Sequence, residues 1–207
     1  MKNINTHKIP SVFNKNIYNI FSYFISCAFI GWIFETAFVL LQTGHMTQRG
    51  LLFINHEPGQ YFPFINSIPI IANIPLFWGL PIIEIYGIGG CIIVLFFRNL
   101  KNILAIFFVG LIVLTLLELS VSYFCEFAIH KQYWDYSAEF LNFQGRICLR
   151  SSIAWGILSV FTLKFLKSKL ELIWKKEKRI RNYKIVITLL FIYTILCMIL
   201  KYFFATR

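Results

Sequence analysis

The chain has 207 residues, 58% hydrophobic, 18% aromatic and only 14% charged, with a formal net charge of +11. Soluble domains carry about 25% charged residues, and a mean hydropathy of +0.68 leaves more apolar surface than one soluble core can hide. The composition excludes a soluble globular protein, and the positive excess points to anionic lipid headgroups rather than to nucleic acid.

Residues 1–17 are polar, carry Lys2, Lys8 and Lys15, and read as a cytoplasmic N-terminus. Five apolar runs follow, over 18–41, 78–97, 103–124, 147–166 and 183–204. Each meets the roughly 20 residues that a membrane-crossing helix needs. None shows the period-2 pattern of a barrel strand. The predicted fold is therefore all-α, a polytopic helical membrane protein with about five transmembrane helices. The first run continues well past Cys27 without a small-residue exit, so it reads as an uncleaved anchor.

Between the first two spans lies "FPFINSIPIIANIPLFWGLP", with Pro63, Pro69, Pro75 and Pro81 at six-residue spacing. Proline removes a backbone donor and clashes with the preceding turn. This proline-rich stretch is therefore predicted to be a non-spanning outer segment. The second span opens "GLPIIEIYGIGG", whose Gly87, Gly89 and Gly90 permit close helix approach. The basic block from 164 to 184 is predicted to form a surface-lying helical connector, with Leu166, Leu170, Ile173 and Trp174 along one side. Residues 167–182 are then a basic cytoplasmic linker, and 183–207 a fifth transmembrane helix with a short tail.

Lys and Arg favour cytoplasmic segments. With the N-terminus inside and the C-terminus outside, 14 of the 20 lie on the cytoplasmic side, nine of them between Lys164 and Lys184. Arg49, Lys131, Arg146, Arg150, Lys201 and Arg207 fall outside. The bias toward Ile, Phe, Asn and Lys suits an AT-rich bacterial genome, and the expected location is the bacterial cytoplasmic membrane. The five cysteines lie in or at the ends of spans without a C-x-x-C pair, so neither a zinc site nor a disulfide framework is indicated. No G-x-x-x-x-G-K-[ST] occurs, so ATP is not bound by that route.

The acids carry the strongest functional signal. Glu35 lies 17 residues from Tyr18, about 26 Å along a helix. Glu118 lies 15 residues after Ile103, about 22 Å along its own. Both fall in the outer half of the membrane, where Glu84 near the start of the second span joins them. Intramembrane carboxylates turn inward and find partners. Arg49, Arg146 and Arg150 are the candidate partners on that side, and Arg matches a carboxylate with two parallel bonds. Glu35 is accordingly expected to pair with Arg49 or Arg146. Glu118, Ser122, Cys125 and Glu126 share one helical stripe. The outer loop "YWDYSAEFLNFQGRICLRSSIAWG" is the densest constellation. Trp134 and Tyr136 suit the membrane interface, Asp135 and Ser137 are turn formers, and Gly145 allows a tight turn before Arg146.

Together these residues resemble a family of small multi-pass bacterial membrane proteins grouped as ABC-transporter type IV proteins. The resemblance rests on Gly31-Trp32 with Glu35-Thr36, on Arg49-Gly50-Leu51, and on Ile85-Tyr86-Gly87 with Gly89. It continues through Trp134-Asp135-Tyr136-Ser137, Asn142, and Gly145 to Leu149 with Ser152 and Trp155-Gly156. Gln48 stands where the family usually has Asn, and about thirty residues intervene before the Ile-Tyr-Gly block where the family loop is short. Glu84 is not a family position. The resemblance covers roughly residues 20–165, leaving the basic linker and the fifth span outside it.

It implies a permease-like membrane component of a transport system and names no substrate. The candidate polar site is Glu35, Arg49, Tyr86, Glu118, Trp134, Asp135, Arg146, Ser152 and Trp155. No catalytic residue, metal or cofactor is expected. The expected partners are the lipid bilayer, a separate ATPase subunit and further copies or other subunits. Two other readings suit the residues: an enzyme acting on lipid or envelope precursors at the outer leaflet, and a non-catalytic sensor or assembly partner.

Overall fold

The computed structural model describes residues 12–44, 81–174 and 180–205. In chain order its helices are α1 (Val12–Thr43), α2 (Glu84–Phe97), α3 (Ile103–Ile129), α4 (Leu149–Phe161), α5 (Lys167–Trp174) and α6 (Ile180–Ala205). A π-helical turn, Thr162–Leu166, carries α4 into α5 without a break. Among the described residues the only β pairing is an isolated bridge between Phe143 and Ile147. Four helical stretches among the described residues are long and apolar enough to cross a membrane: Ile17–Leu41, Ile103–Ala128, Leu149–Trp174 and Arg181–Ile199. The proline-spaced segment up to residue 80 and Arg49 lie outside the described residues.

Two elements differ in extent from their predicted runs. α2 has only 14 residues, about 21 Å of helix. Its start is set at Ile83, which is extended at φ −122° and ψ 117°. The Ile83 N–H donates to the Ala28 carbonyl of α1 at 3.1 Å, which holds the chain out of helical geometry until Glu84. The basic segment begins as a continuation of α4 rather than as a separate connector. Leu163 and Leu170 are buried in the core beside Tyr23, and this burial keeps the helix in the bundle through Trp174.

Packing follows the small residues. α3 packs most extensively on α4, and α1 on α2. Gly110 of α3 faces Ser159 of α4, where an added Cβ would lie 2.1 Å from the serine Oγ. Gly156 faces Phe107, where a Cβ would lie 2.6 Å from the ring. These two positions let α3 and α4 approach at backbone distance. On the other side Gly87 meets Phe24 and Gly90 meets Cys27 of α1, the close approach expected of this glycine group. The core they close over comprises Tyr23, Ile93, Val94, Ile106, Leu114, Trp155, Leu163 and Leu170. Outward positions such as Phe108, Ile112, Leu116 and Ile157 are exposed and apolar, as a lipid-facing surface requires.

The bundle has two ends. The loop end carries residues 130–148, the start of α2 and the last described turn of α1. The far end carries the α2–α3 turn, α5 and the start of α6. There Lys164 Nζ donates to the Lys101 carbonyl at 2.6 Å, and Lys167 Nζ to the Arg98 carbonyl at 3.4 Å. Trp174 Nε1 donates to Tyr183 Oη at 3.2 Å, and Tyr183 Oη to Ser22 Oγ at 2.6 Å, so α5, α6 and α1 are tied together. The rings of Phe21 and Phe191 stack with centroids 3.8 Å apart. All five cysteines are free thiols, with Cys27, Cys125, Cys148 and Cys197 buried and Cys91 half-buried.

Candidate polar site at the loop end

Glu118 sits on the face of α3 that meets α4 and is only 4% exposed. Its carboxylate accepts three hydrogen bonds from three side chains. Trp155 Nε1 and Ser151 Oγ of α4 each lie 3.0 Å from Oε2, and Tyr136 Oη of the loop lies 3.1 Å from Oε1. One helical turn toward the far end, Thr115 Oγ1 donates to Ser152 Oγ at 2.8 Å, a second polar tie between the same helices. Buried polar groups this close to an apolar core persist only when paired, and here α4 supplies most of the pairing. Its first turn is fixed by a capping box: the Ser151 N–H donates to Cys148 Sγ at 3.4 Å, and the Cys148 N–H to Ser151 Oγ at 3.3 Å. The Trp155 ring also packs on Tyr86 of α2, with centroids 4.7 Å apart.

Tyr136 links this carboxylate to α1. Burial, and then the charges of Glu118 and Glu35, push its hydroxyl well above the ordinary tyrosine range. It therefore keeps its proton and remains a donor. Glu35 of α1 is half-buried and joins the site through its effect on this hydroxyl.

The loop that delivers Tyr136 is bound to itself and to α3. Asp135 Oδ1 accepts from the Ser137 N–H at 2.8 Å and from Ser137 Oγ at 2.5 Å. These two bonds hold the exposed Asp135 carboxyl below its usual range. Asn142 donates to the carbonyls of Ser137 (3.2 Å) and Glu139 (3.0 Å), and accepts from the Gly145 N–H at 3.1 Å. Gly145 has φ +68°, and a Cβ there would lie 2.6 Å from Asp135 Oδ1 and from Ser137 Oγ. Only glycine fits both constraints.

Arg146 follows at once and turns back onto α3. It forms an ion pair with Glu126 and donates to Ser122 Oγ at 3.0 Å. Its guanidinium lies 4.1 Å from the centroid of the Tyr123 ring, and its carbonyl accepts from Trp134 Nε1 at 2.8 Å. Arg150 pairs with Glu139 at 2.7 Å and lies over the Phe38 ring of α1 at 4.5 Å.

Of the predicted residues, Glu118, Trp155, Tyr86, Ser152 and Arg146 with Trp134 converge here, with Glu35 beyond Tyr136. Asp135 shapes the loop and does not touch Glu118. The ion-pair partner seen for Arg146 is Glu126, a member of the predicted polar stripe. The residues that the sequence reading left out of the site are Tyr136, Ser151, Ser122 and Glu126. Ser151 had a legible signal, since it stands three residues after the helix cap Cys148, where capping residues reciprocate. Among the described residues no group of three or more His, Cys, Asp or Glu is placed to hold a metal ion. Between α1, α2 and α4, a cavity of about 20 Å³ is lined by Cys27, Gly31, Tyr86, Trp155, Ser159 and Thr162, among others, about the size for one water.

Neither a curated protein nor a solved structure matches the chain. A family match, described as Putative ABC-transporter type IV, covers residues 22–204. It reaches through α5 and α6, so the linker and last span, set outside the resemblance in the sequence reading, are part of the family's region. With nearly its whole length matched, the chain belongs to this ABC-transporter type IV family of membrane proteins.

Proposed function

We propose that this chain is the permease-like, membrane-embedded component of a transport system, and that the polar constellation at the loop end is its working site. The observation that carries the reading is Glu118: a carboxylate in the middle of a helix apolar enough to cross a bilayer, yet buried and held by side chains from two other elements. Ionisable groups at such depth mark substrate or ion paths more often than they serve packing. Arg146 with Glu126, Glu35 beside Tyr136, and Arg49 from the segment after α1 complete the proposed site. In this reading the N-terminus is cytoplasmic, the loop end lies in the outer leaflet of a bacterial cytoplasmic membrane, and the energy comes from an ATPase on a separate chain. Four helices long enough to cross, with the shorter α2 beside them, are few for a complete pathway, so the working unit contains further copies or other subunits.

Two measurements test this. The tagged chain, purified from its native membrane, should bring down a nucleotide-hydrolysing subunit. In parallel, membrane abundance and growth complementation are measured for Glu118→Gln, Glu35→Gln, Arg49→Gln and Arg146→Gln. A working site predicts loss of complementation per molecule with abundance preserved. A chain that purifies alone and complements fully with all four changes overturns the reading. Orientation is read separately: single cysteines at Asn142 and Ser168, both exposed, should label with an impermeant reagent from outside and inside respectively.

A further inference from the structure

We propose that Glu118 is a proton-binding site, and that proton uptake reverses its hydrogen bond with Ser151 in the first turn of α4. The inference deepens the reading above and rests on it for the role of the site, while proton binding itself is an equilibrium property with its own test.

The donor set selects the ligand. An ionised carboxylate offers about four acceptor positions, and three are occupied by Trp155, Ser151 and Tyr136. An indole N–H is a donor only, so one side of this carboxylate faces a group that repels a metal ion. A proton is the cation that adds to Oε2 without displacing any of these neighbours.

Ser151 has one hydroxyl hydrogen and two acceptors for it. Its Oγ lies 3.0 Å from Glu118 Oε2 and 3.0 Å from the Cys148 carbonyl, and it also receives the Cys148 N–H at 3.3 Å. When Glu118 is ionised, the Ser151 O–H points to the carboxylate. When a proton from water adds to Oε2, the new Glu118 O–H donates to Ser151 Oγ, and the serine hydrogen rotates to the Cys148 carbonyl. One O–H bond forms on Glu118 and no other covalent bond changes; the Ser151–Glu118 contact keeps a hydrogen between its partners, and the Ser151–Cys148 contact gains one.

The two states differ at the cap of α4. The Cys148 carbonyl already accepts the Ser152 N–H and Ser152 Oγ, each at 3.0 Å. A carbonyl has two lone pairs, so the hydrogen arriving from Ser151 competes with these two. Protonation is thereby transmitted to the first turn of α4, and through Ser152 to Thr115 of α3. The titratable and charged groups around Glu118 belong to every neighbouring element. The loop brings Tyr136, α1 brings Glu35 and the cap of α4 brings Cys148, the last two acting with Glu118 on the Tyr136 hydroxyl. α3 contributes Glu126, paired with Arg146 of the loop, two turns away, and α2 presents Tyr86 behind the Trp155 ring.

The test is infrared difference spectroscopy of the full chain in lipid nanodiscs, titrated from about pH 9 to about pH 4 to bracket the carboxylate range and its tail. A carboxylic-acid carbonyl band should grow as pH falls, vanish in Glu118→Gln, and persist in Glu171→Gln on α5. In Ser151→Ala, which removes the hydrogen-bond partner of the acid, the same band should shift in frequency. A wild-type chain without a titrating acid band overturns the proposal, as does a set of bands unchanged by both Glu118→Gln and Ser151→Ala. Should Glu118→Gln fail to fold, the wild-type titration and the Ser151→Ala shift decide between these outcomes. No transport is measured, so a chain that titrates as expected but shows no ATPase partner leaves this proposal standing and removes the other.

Discussion

The two ends of the bundle solve the same problem by different chemistry. At the far end, side-chain donors satisfy main-chain carbonyls or hydroxyls: Lys164 and Lys167 on the α2–α3 turn, Trp174 on Tyr183, Tyr183 on Ser22. The two lysine bonds are single ties, and the other two run in line through the Tyr183 hydroxyl. At the loop end, bonds converge on charged groups, with three donors on Glu118 and a fork from Arg146 to Glu126 and Ser122. Charged donors act at the far end too, in Lys164 and Lys167, and a hydrogen bond to a charged group contributes about 1.5 to 3 kcal/mol at either end, so the difference lies in convergence. A converging site also loses several partners at once when its centre is removed. The far end fastens helices; the loop end holds charge in place.

This contrast sets an order of expected effects. Glu118→Ala is the most damaging change, because Trp155 Nε1 and Tyr136 lose their acceptor together while Ser151 keeps only the Cys148 carbonyl. Unfolding in mixed micelles should register a loss of roughly 2 to 4 kcal/mol, at about 1 to 2 for each of the two donors left without an acceptor. A loss no larger than that of a far-end change would erase the distinction. Gly145→Ala comes next, at roughly 1 to 3 kcal/mol, from left-handed strain and from collision with Asp135 and Ser137. The same measurement checks it, and a neutral result would mean that the loop does not need this turn.

Arg146→Lys keeps the charge but loses the fork and the stacking over Tyr123. A loss of about 1 to 2 kcal/mol is expected, less than at Glu118 because the Glu126 side chain is 57% exposed. Tyr183→Phe removes the far-end tie to Ser22 and Trp174 and should cost about 1 kcal/mol. The smallest effect concerns Asp135. Its carboxyl titrates below the ordinary range in the folded chain, so its contribution is present above the unfolded value and lost as pH falls through the folded one. Amide exchange at Ser137, corrected for intrinsic chemistry, should quicken on acidification through that window, and Asp135→Ala should abolish the dependence. An Asp135→Ala chain with the same pH response would assign it to another group.

Hydropathy made the helices legible because a bilayer imposes a length on every span. It misjudged α2, where the run of apolar residues begins at Trp78 but the helix begins at Glu84. A backbone bond from Ile83 to Ala28, 55 residues away in the chain, leaves no trace in local composition. Likewise, the lysines from 164 onward read as surface residues, while Leu163 just before them and Leu170 among them anchor the helix in the core. In the site, Glu118 and Arg146 stood out because a charge within or beside an apolar run has few innocent explanations. Tyr136 and Ser151 did not, since a tyrosine at an interface and a serine at a helix start are common for reasons unrelated to any site. The partner of Arg146 turned on loop geometry: the left-handed turn at Gly145 aims the side chain back at α3, where Glu126 and Ser122 meet it.

The buried thiols have a practical consequence in reactivity. A maleimide attacks a thiolate that water can reach, and four of the five sulfurs lie inside the bundle while Cys91 is only partly open. Cys91 Sγ lies 3.6 Å from the Ile20 carbonyl, and Cys27 fits against the Gly90 notch. The folded chain should therefore be nearly silent toward a water-soluble alkylating reagent and take up label only as the helices separate. Labelling rate against denaturant then becomes a clock for helix separation, with Cys148 timing the first turn of α4 and Cys197 the departure of α6.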